Sequence, residues 1–249
     1  MSPIYCDEQV VYLPHSYQAN DSKRTIAQDV PSRTWLGLPE NGFVFCNFNQ
    51  SYKITPFVFA SWMRILREVD ASVLWLLGSK PPFEANLSKA AERHGVALQR
   101  LVFAPSLPPD RHLARLKQAD LFLDTLPYNG HTTASDALWA GLPLLTCRGT
   151  TFPGRVAASL LTAVGMPELI TETMIEYESR AIALARAPET MRGLKKKLSS
   201  NRLTYPLFAT DLFRKDIEKI YAAMWHAWQR GETPKGFSVE SASTAPRGH

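Results

Sequence analysis

Residues 120–141 read Asp-Leu-Phe-Leu-Asp-Thr-Leu-Pro-Tyr-Asn-Gly-His-Thr-Thr-Ala-Ser-Asp-Ala-Leu-Trp-Ala-Gly. The apolar run Leu121 to Leu123 predicts a short buried strand, ended by Asp124 and Thr125 and broken at Pro127 and Asn129-Gly130. His131, Thr132 and Thr133 then open a helical stretch that Gly141 closes. The first N–H groups of a helix have no partner within it, and the helix dipole is positive there. Such a strand–loop–helix junction suits an anion such as phosphate. Thr132 and Thr133 add hydroxyl donors, and His131 adds a ring N–H. Asp136 lies one turn in, on roughly the same face. A carboxylate there does not favour phosphate; it fits either orienting His131 or accepting from a sugar hydroxyl. The plain alternative is a capped helix after a tight loop, and the clustering of polar groups weighs against it.

Working outward, apolar runs alternate with amphipathic stretches from residue 42 onward. Strands are predicted at residues 43–48, 72–77, 101–103, 121–123 and 142–146. Helices are predicted at 56–69, 84–94, 110–118, 133–140 and from 154 or 155 to 164. Thr55-Pro56 is a good cap and first helical position for the first of these. Strands that are apolar throughout, each separated by a helix, mean a parallel sheet covered on both faces. With right-handed crossovers the fold class is α/β, a Rossmann-like doubly wound parallel sheet. After Gly165 only helices are predicted, at about 172–186, 188–200 and 208–230. The last carries Phe213, Ile217, Ile220, Tyr221, Met224, Trp225 and Trp228, a stripe wider than one sheet needs. The organisation expected is 1–40 as a linker packed on something else, 41–205 as the Rossmann-like lobe, 206–230 as a C-terminal helix, and 231–249 as a disordered tail.

The 249 residues, 45% hydrophobic, suffice for a sizeable core. A formal charge of +5 suits an anionic ligand and is too weak to argue nucleic acid. Cys6, Cys46 and Cys147 have no disulfide or metal-ligand spacing, which fits a reducing cytosol and hence a cytoplasmic location. The start carries no signal-peptide pattern and no apolar run reaches membrane-spanning length, so no membrane partner is expected.

In a doubly wound sheet, loops at the carboxyl ends of the strands converge. The loop after the first strand offers Gln50 and the flexible cation Lys53. The loop after the third leads to His112, able to lie against a base or ribose, with Arg115 one turn on. The loop after the fifth runs from Arg148 to Arg155. No loop carries GxGxxG, a P-loop, a metal-ligand cluster or a nucleophile elbow. The residues alone therefore reach a lobe that binds a nucleotide diphosphate.

Several longer runs carry a resemblance. Cys46-Asn47-Phe48-Asn49-Gln50-Ser51-Tyr52-Lys53-Ile54, the strand Ser72 to Leu77, and Asn129-Gly130-His131-Thr132-Thr133 with Asp136 and Trp139-Ala140-Gly141 look like the O-linked N-acetylglucosamine (O-GlcNAc) transferases, glycosyltransferase family 41. Arg155 to Ser159 and Pro206-Leu207-Phe208 are similar too, and the resemblance runs over about residues 8–230. It implies the carboxy-terminal lobe of a two-lobed GT-B enzyme. That family moves N-acetylglucosamine from UDP-GlcNAc to Ser or Thr hydroxyls of proteins, with inversion and without a metal or other cofactor. At matching positions the resemblance implies Gln50 and Lys53 on the diphosphate, and His112 and Arg115 bounding the uridine. His131, Thr132, Thr133 and Asp136 would hold phosphate, sugar and ribose, with Lys53 and His131 as the catalytic residues. Pro109 stands where the family often has a lysine near the uracil. The amino-terminal lobe and the tetratricopeptide repeats of the family have no counterpart in the sequence, so acceptor proteins and a separate lobe or repeat-containing chain are the expected partners. The competing expectation is a non-catalytic UDP-sugar-binding remnant or subunit.

Overall fold

The computed structural model describes residues 7–78 and 81–241. Its core is a six-stranded parallel sheet built from β2 (Val44–Asn47), β3 (Val73–Leu77), β4 (Leu101–Ala104), β5 (Leu121–Leu123), β6 (Leu144–Cys147) and β7 (Ile170–Thr171). The strand order is β4-β3-β2-β5-β6-β7. With β2 counted first, that is the doubly wound order 3-2-1-4-5-6, whose switch point lies between β2 and β5. Phe45 pairs with Leu121 and Cys46 with Phe122 across that point. The predicted α/β class is the one observed.

Helices cover both faces. In α1 (Pro56–Glu68) the Thr55 hydroxyl accepts from the Val58 N–H at 3.3 Å, fixing the start. Its Trp62, Ile65 and Leu66 are buried against the sheet. Each such side chain stabilises the fold by roughly 1.5–3 kcal/mol. α2 (Pro81–Arg93), α3 (Pro109–Leu116), α4 (Thr132–Ala140) and α5 (Val156–Ala163) follow their strands. Gly141 ends α4 at φ 84°, a left-handed position that favours glycine. α6 (Met174–Ala185), α7 (Pro188–Thr204) and α8 (Thr210–Gln229) close the chain. Only the first part of α8 is packed, through Leu212 and Ile220. Tyr221, Met224, Trp225 and Trp228 are exposed, with the two indoles stacked at 4.8 Å. No helix among the described residues is long and apolar enough to cross a membrane.

Residues 7–40 contain one short strand, β1 (Val11–Tyr12), yet they are tied down along their length. The Ala27 N–H donates to the Asp110 carbonyl at 3.2 Å, and the Asn20 amide to the Leu207 carbonyl at 3.2 Å. Arg33 donates to the Gln118 and Gly42 carbonyls and pairs with Asp120 at 2.8 Å. The segment is a strap that runs from the start of α4, where Tyr17 meets His131, to the amino ends of β2 and β5, where Arg33 binds. The predicted tail differs from expectation over residues 237–238, where β8 (Phe237–Ser238) pairs in parallel with β1. Its partner lies 226 residues away, so nothing near it in sequence announces the pairing. Cys46 and Cys147 are buried as expected; Cys6 and residues 242–249 lie outside the described residues.

Candidate functional site

The loops after β2 and β5 meet at the switch point through a buried polar network. The Asn47 amide donates to the Leu123 carbonyl at 2.7 Å, and the Asn49 amide to the Thr125 hydroxyl at 2.8 Å. Asp124, only 3% exposed, accepts from the Gly130 N–H at 2.6 Å and the Thr146 hydroxyl at 2.7 Å. Burial pushes its carboxyl up to about 6, against the pull of those donors. Asn129 donates to the Thr125 carbonyl at 2.8 Å and receives the Pro153 carbonyl on its own N–H at 2.9 Å. Gly130 is required by close approach: a Cβ there would stand 2.8 Å from Thr133 Oγ1 and 3.0 Å from Asn49 Oδ1.

Lys53 ends a short 3-10 turn, Ser51–Lys53, and is not the exposed loop residue that its place before Thr55-Pro56 suggests. It is 9% exposed. Its ammonium donates to the Asn129 carbonyl at 2.8 Å and sits 4.0 Å over the Tyr128 ring. Burial lowers its pKa. Gln50, at the head of the same turn, is exposed.

His131 takes the cap position of α4, and its side chain makes no capping bond to the first-turn N–H groups. The ring stacks on Tyr128 at 5.1 Å and has Phe152 at its edge, 6.5 Å away. Its Nδ1 is hydrogen-bonded to the Tyr17 hydroxyl at 2.9 Å. Burial and the Lys53 charge lower its pKa, so the imidazole is neutral at pH 7. Thr132 is exposed at the start of α4, whereas the Thr133 hydroxyl turns inward and donates to Asn49 Oδ1.

Two expected site residues are placed differently from their sequence reading. Asp136 does not orient His131; one turn into α4, its carboxylate meets Arg24 of the strap in an ion pair. Arg115 is only 1% exposed, its guanidinium turned onto its own helix and the β4 loop. Its guanidinium donates to His112 Nδ1 at 2.8 Å and to the Pro105 carbonyl, 4.7 Å over the Phe48 ring. Burial lowers Arg115 to about 10, and burial with the Arg115 charge lowers His112 to about 4. His112 is therefore a neutral ring, half-buried against Phe48 and held from behind by Arg115.

Above α4 opens a polar cleft of about 420 Å³, with Tyr17, Gln18, Arg24, His131, Thr132 and Ser135 among its walls. The strap residues Tyr17 and Arg24 are absent from the sequence reading. They lie 114 and 112 residues from their partners, in a stretch without periodicity. The signal that was available is chemical: a buried carboxylate at a helix start needs a cation. Among the described residues no group of three or more His, Cys, Asp or Glu side chains could hold a metal ion.

The sheet order, with the polar loops after β2 and β5 meeting at its switch point, places the chain in the doubly wound α/β class. Residues 11–217 match the model of glycosyl transferase family 41, and the chain belongs to that family. It is 38% identical over 239 residues to the "Probable UDP-N-acetylglucosamine--peptide N-acetylglucosaminyltransferase SEC" of Arabidopsis thaliana, covering 93% of this chain and 24% of that protein. It is 36% identical over 215 residues to the UDP-N-acetylglucosamine–peptide N-acetylglucosaminyltransferase of Caenorhabditis elegans, covering 82% and 19%. The chain thus spans about a quarter or less of the length of these relatives. Among solved structures, a mutant O-GlcNAc transferase of Thermobaculum terrenum superposes with a TM-score of 0.72 at 31% identity, covering 83% of this chain and 40% of that one. HepE of Anabaena, solved with UDP and glucose, shares the fold alone, at a TM-score of 0.60 and 12% identity.

Proposed function

We propose that this chain is the donor-binding, carboxy-terminal lobe of a GT-B protein O-GlcNAc transferase, taking UDP-GlcNAc and serving transfer to Ser or Thr hydroxyls of proteins. The observation that carries this is Lys53. A flexible cation is buried at the switch point, 2.8 Å from the Asn129 carbonyl, beside a helix start whose N–H groups the cap side chain leaves unbonded. As the bond from sugar to diphosphate breaks, negative charge grows on the leaving UDP. A fixed ammonium in a water-poor site stabilises that charge most where it is largest. Its lowered pKa reflects the same burial, and the incoming anion offsets the desolvation. Neutral His131 lines the cleft with its Nδ1 held by the Tyr17 hydroxyl, Thr132 adds an exposed hydroxyl, and His112 a flat ring for the nucleoside side. Gln50, exposed at the head of the 3-10 turn, is able to reach the diphosphate.

Calorimetric titration with UDP tests the reading on wild type and Lys53→Ala. The expected result is saturable binding that weakens by about 1.5–3 kcal/mol in the variant, the size of a hydrogen bond to a charged group. A folded wild type that ignores UDP refutes the donor-lobe reading. UDP binding with no transfer to acceptor peptides, even when an amino-terminal family lobe is supplied in trans, favours the binding-module alternative.

A further inference from the structure

We propose that Arg24, on the strap, is the residue that turns the start of α4 into an anion site, by neutralising Asp136 and presenting its remaining N–H groups to the diphosphate. The inference rests on the donor-site reading above and adds to it a residue of this chain's own. Asp136 is 8% exposed and sits one turn from the helix start. Left alone, its carboxylate would oppose a diphosphate at that start, and in a partly dry site such opposition is strong. Arg24 meets it directly through one nitrogen, Nη1. A guanidinium carries five N–H groups in a fixed fork, so one bond to Asp136 leaves donors for a second anion.

Arg24 is also held in place from two sides. The Trp139 indole N–H donates to its carbonyl at 3.1 Å, and three residues on, the Ala27 N–H is bonded to Asp110 of α3. The side chain lines the cleft together with His131, Thr132 and Ser135, and its charge is felt at His112 on the nucleoside side. Asp21 also lines this cleft, so the net cationic character of the wall depends on Arg24. In the same wall Gln18 Oε1 is buried with no partner among the described residues; an acceptor there calls for a ligand hydroxyl, as on a sugar, and not for the phosphate itself.

The test is a mutant cycle read by calorimetry with inorganic pyrophosphate, which has no ribose for Asp136 to hold, and in parallel with UDP and uridine. Arg24→Gln is expected to weaken pyrophosphate and UDP on the order of tenfold while leaving uridine unchanged. The double variant Arg24→Gln/Asp136→Asn is expected to recover most of the pyrophosphate affinity. Asp136→Asn alone, with Arg24 freed, is expected to bind pyrophosphate more tightly than wild type, and decides the matter if Arg24→Gln unfolds. Unchanged pyrophosphate affinity in Arg24→Gln, a double variant no better than the single, or weaker pyrophosphate binding by Asp136→Asn overturns the proposal. A wild type that binds pyrophosphate but shows no preference for UDP over it overturns the nucleotide-sugar reading and leaves Arg24 as an anion residue; one that binds neither overturns both.

Discussion

Replacing Asp124 with Asn separates what burial costs this carboxylate from what its hydrogen bonds return. Its pKa rises from the ordinary 3.8 to about 6 because it is taken out of water. At 1.36 kcal/mol per pH unit, the ionised form at neutral pH is disfavoured by about 3 kcal/mol relative to the unfolded chain. The folded state holds its proton to higher pH than the unfolded state does. This group's contribution therefore falls as pH climbs from about 4 to about 6, and is level above that. Asn cannot ionise; its one oxygen accepts from the Gly130 N–H, and its NH2 faces the Thr146 hydroxyl, which can turn to accept, a change that does not depend on pH. The wild-type profile alone is not diagnostic. His112, lowered to about 4, works with the opposite sign, its neutral folded form gaining stability over about the same pH window. The difference between variant and wild type cancels that common contribution. Urea unfolding at pH 4, 5, 6 and 7 should show Asp124→Asn improving relative to wild type by about 2.5 kcal/mol across the range. A difference that changes by less than about 1 kcal/mol refutes the view that burial dominates this carboxyl.

Two further substitutions test the scaffold around the site. Gly165 holds φ at +69°, and a Cβ there would lie 2.2 Å from the Tyr205 ring. Gly165→Ala should cost about 1–3 kcal/mol in urea unfolding, with Tyr205 displaced. Tyr177 accepts from the Trp62 indole at 3.2 Å and donates to the Asp124 carbonyl at 3.0 Å. Tyr177→Phe should lower stability by about 1–3 kcal/mol, since the Asp124 carbonyl and the indole lose a buried partner; an unchanged denaturation midpoint would show that water replaces the hydroxyl.

The alternation of strands and helices was legible because each buried strand is apolar throughout and each helix carries its own punctuation. Thr55 caps α1, Thr173 caps α6, and Gly95, Gly141 and Gly165 take left-handed φ just past helix ends. β7 escaped the reading because a two-residue strand has no period to show. The polar loops were legible as a cluster, yet their internal order was not. A lysine or arginine reads as surface in any hydropathy pattern, so the burial of Lys53 and Arg115 is invisible until the Asn129 carbonyl and the Phe48 ring are brought beside them. Tyr17 and Arg24 were hidden for a different reason. Their segment has no regular structure, and its place is set by partners more than a hundred residues away.

The bonds that join the β2 loop to the β5 loop share a property with kinetic weight. Asn47 to Leu123, Asn49 to Thr125 and Lys53 to Asn129 each close an excursion of 76 residues. Closing so long a loop is entropically unfavourable until the β2–β5 pairing rewards it. The site thus cannot assemble ahead of the central sheet. An anion bridging Lys53 and the start of α4 would staple the two halves of that sheet, slow their separation, and raise hydrogen-exchange protection far beyond the residues it touches.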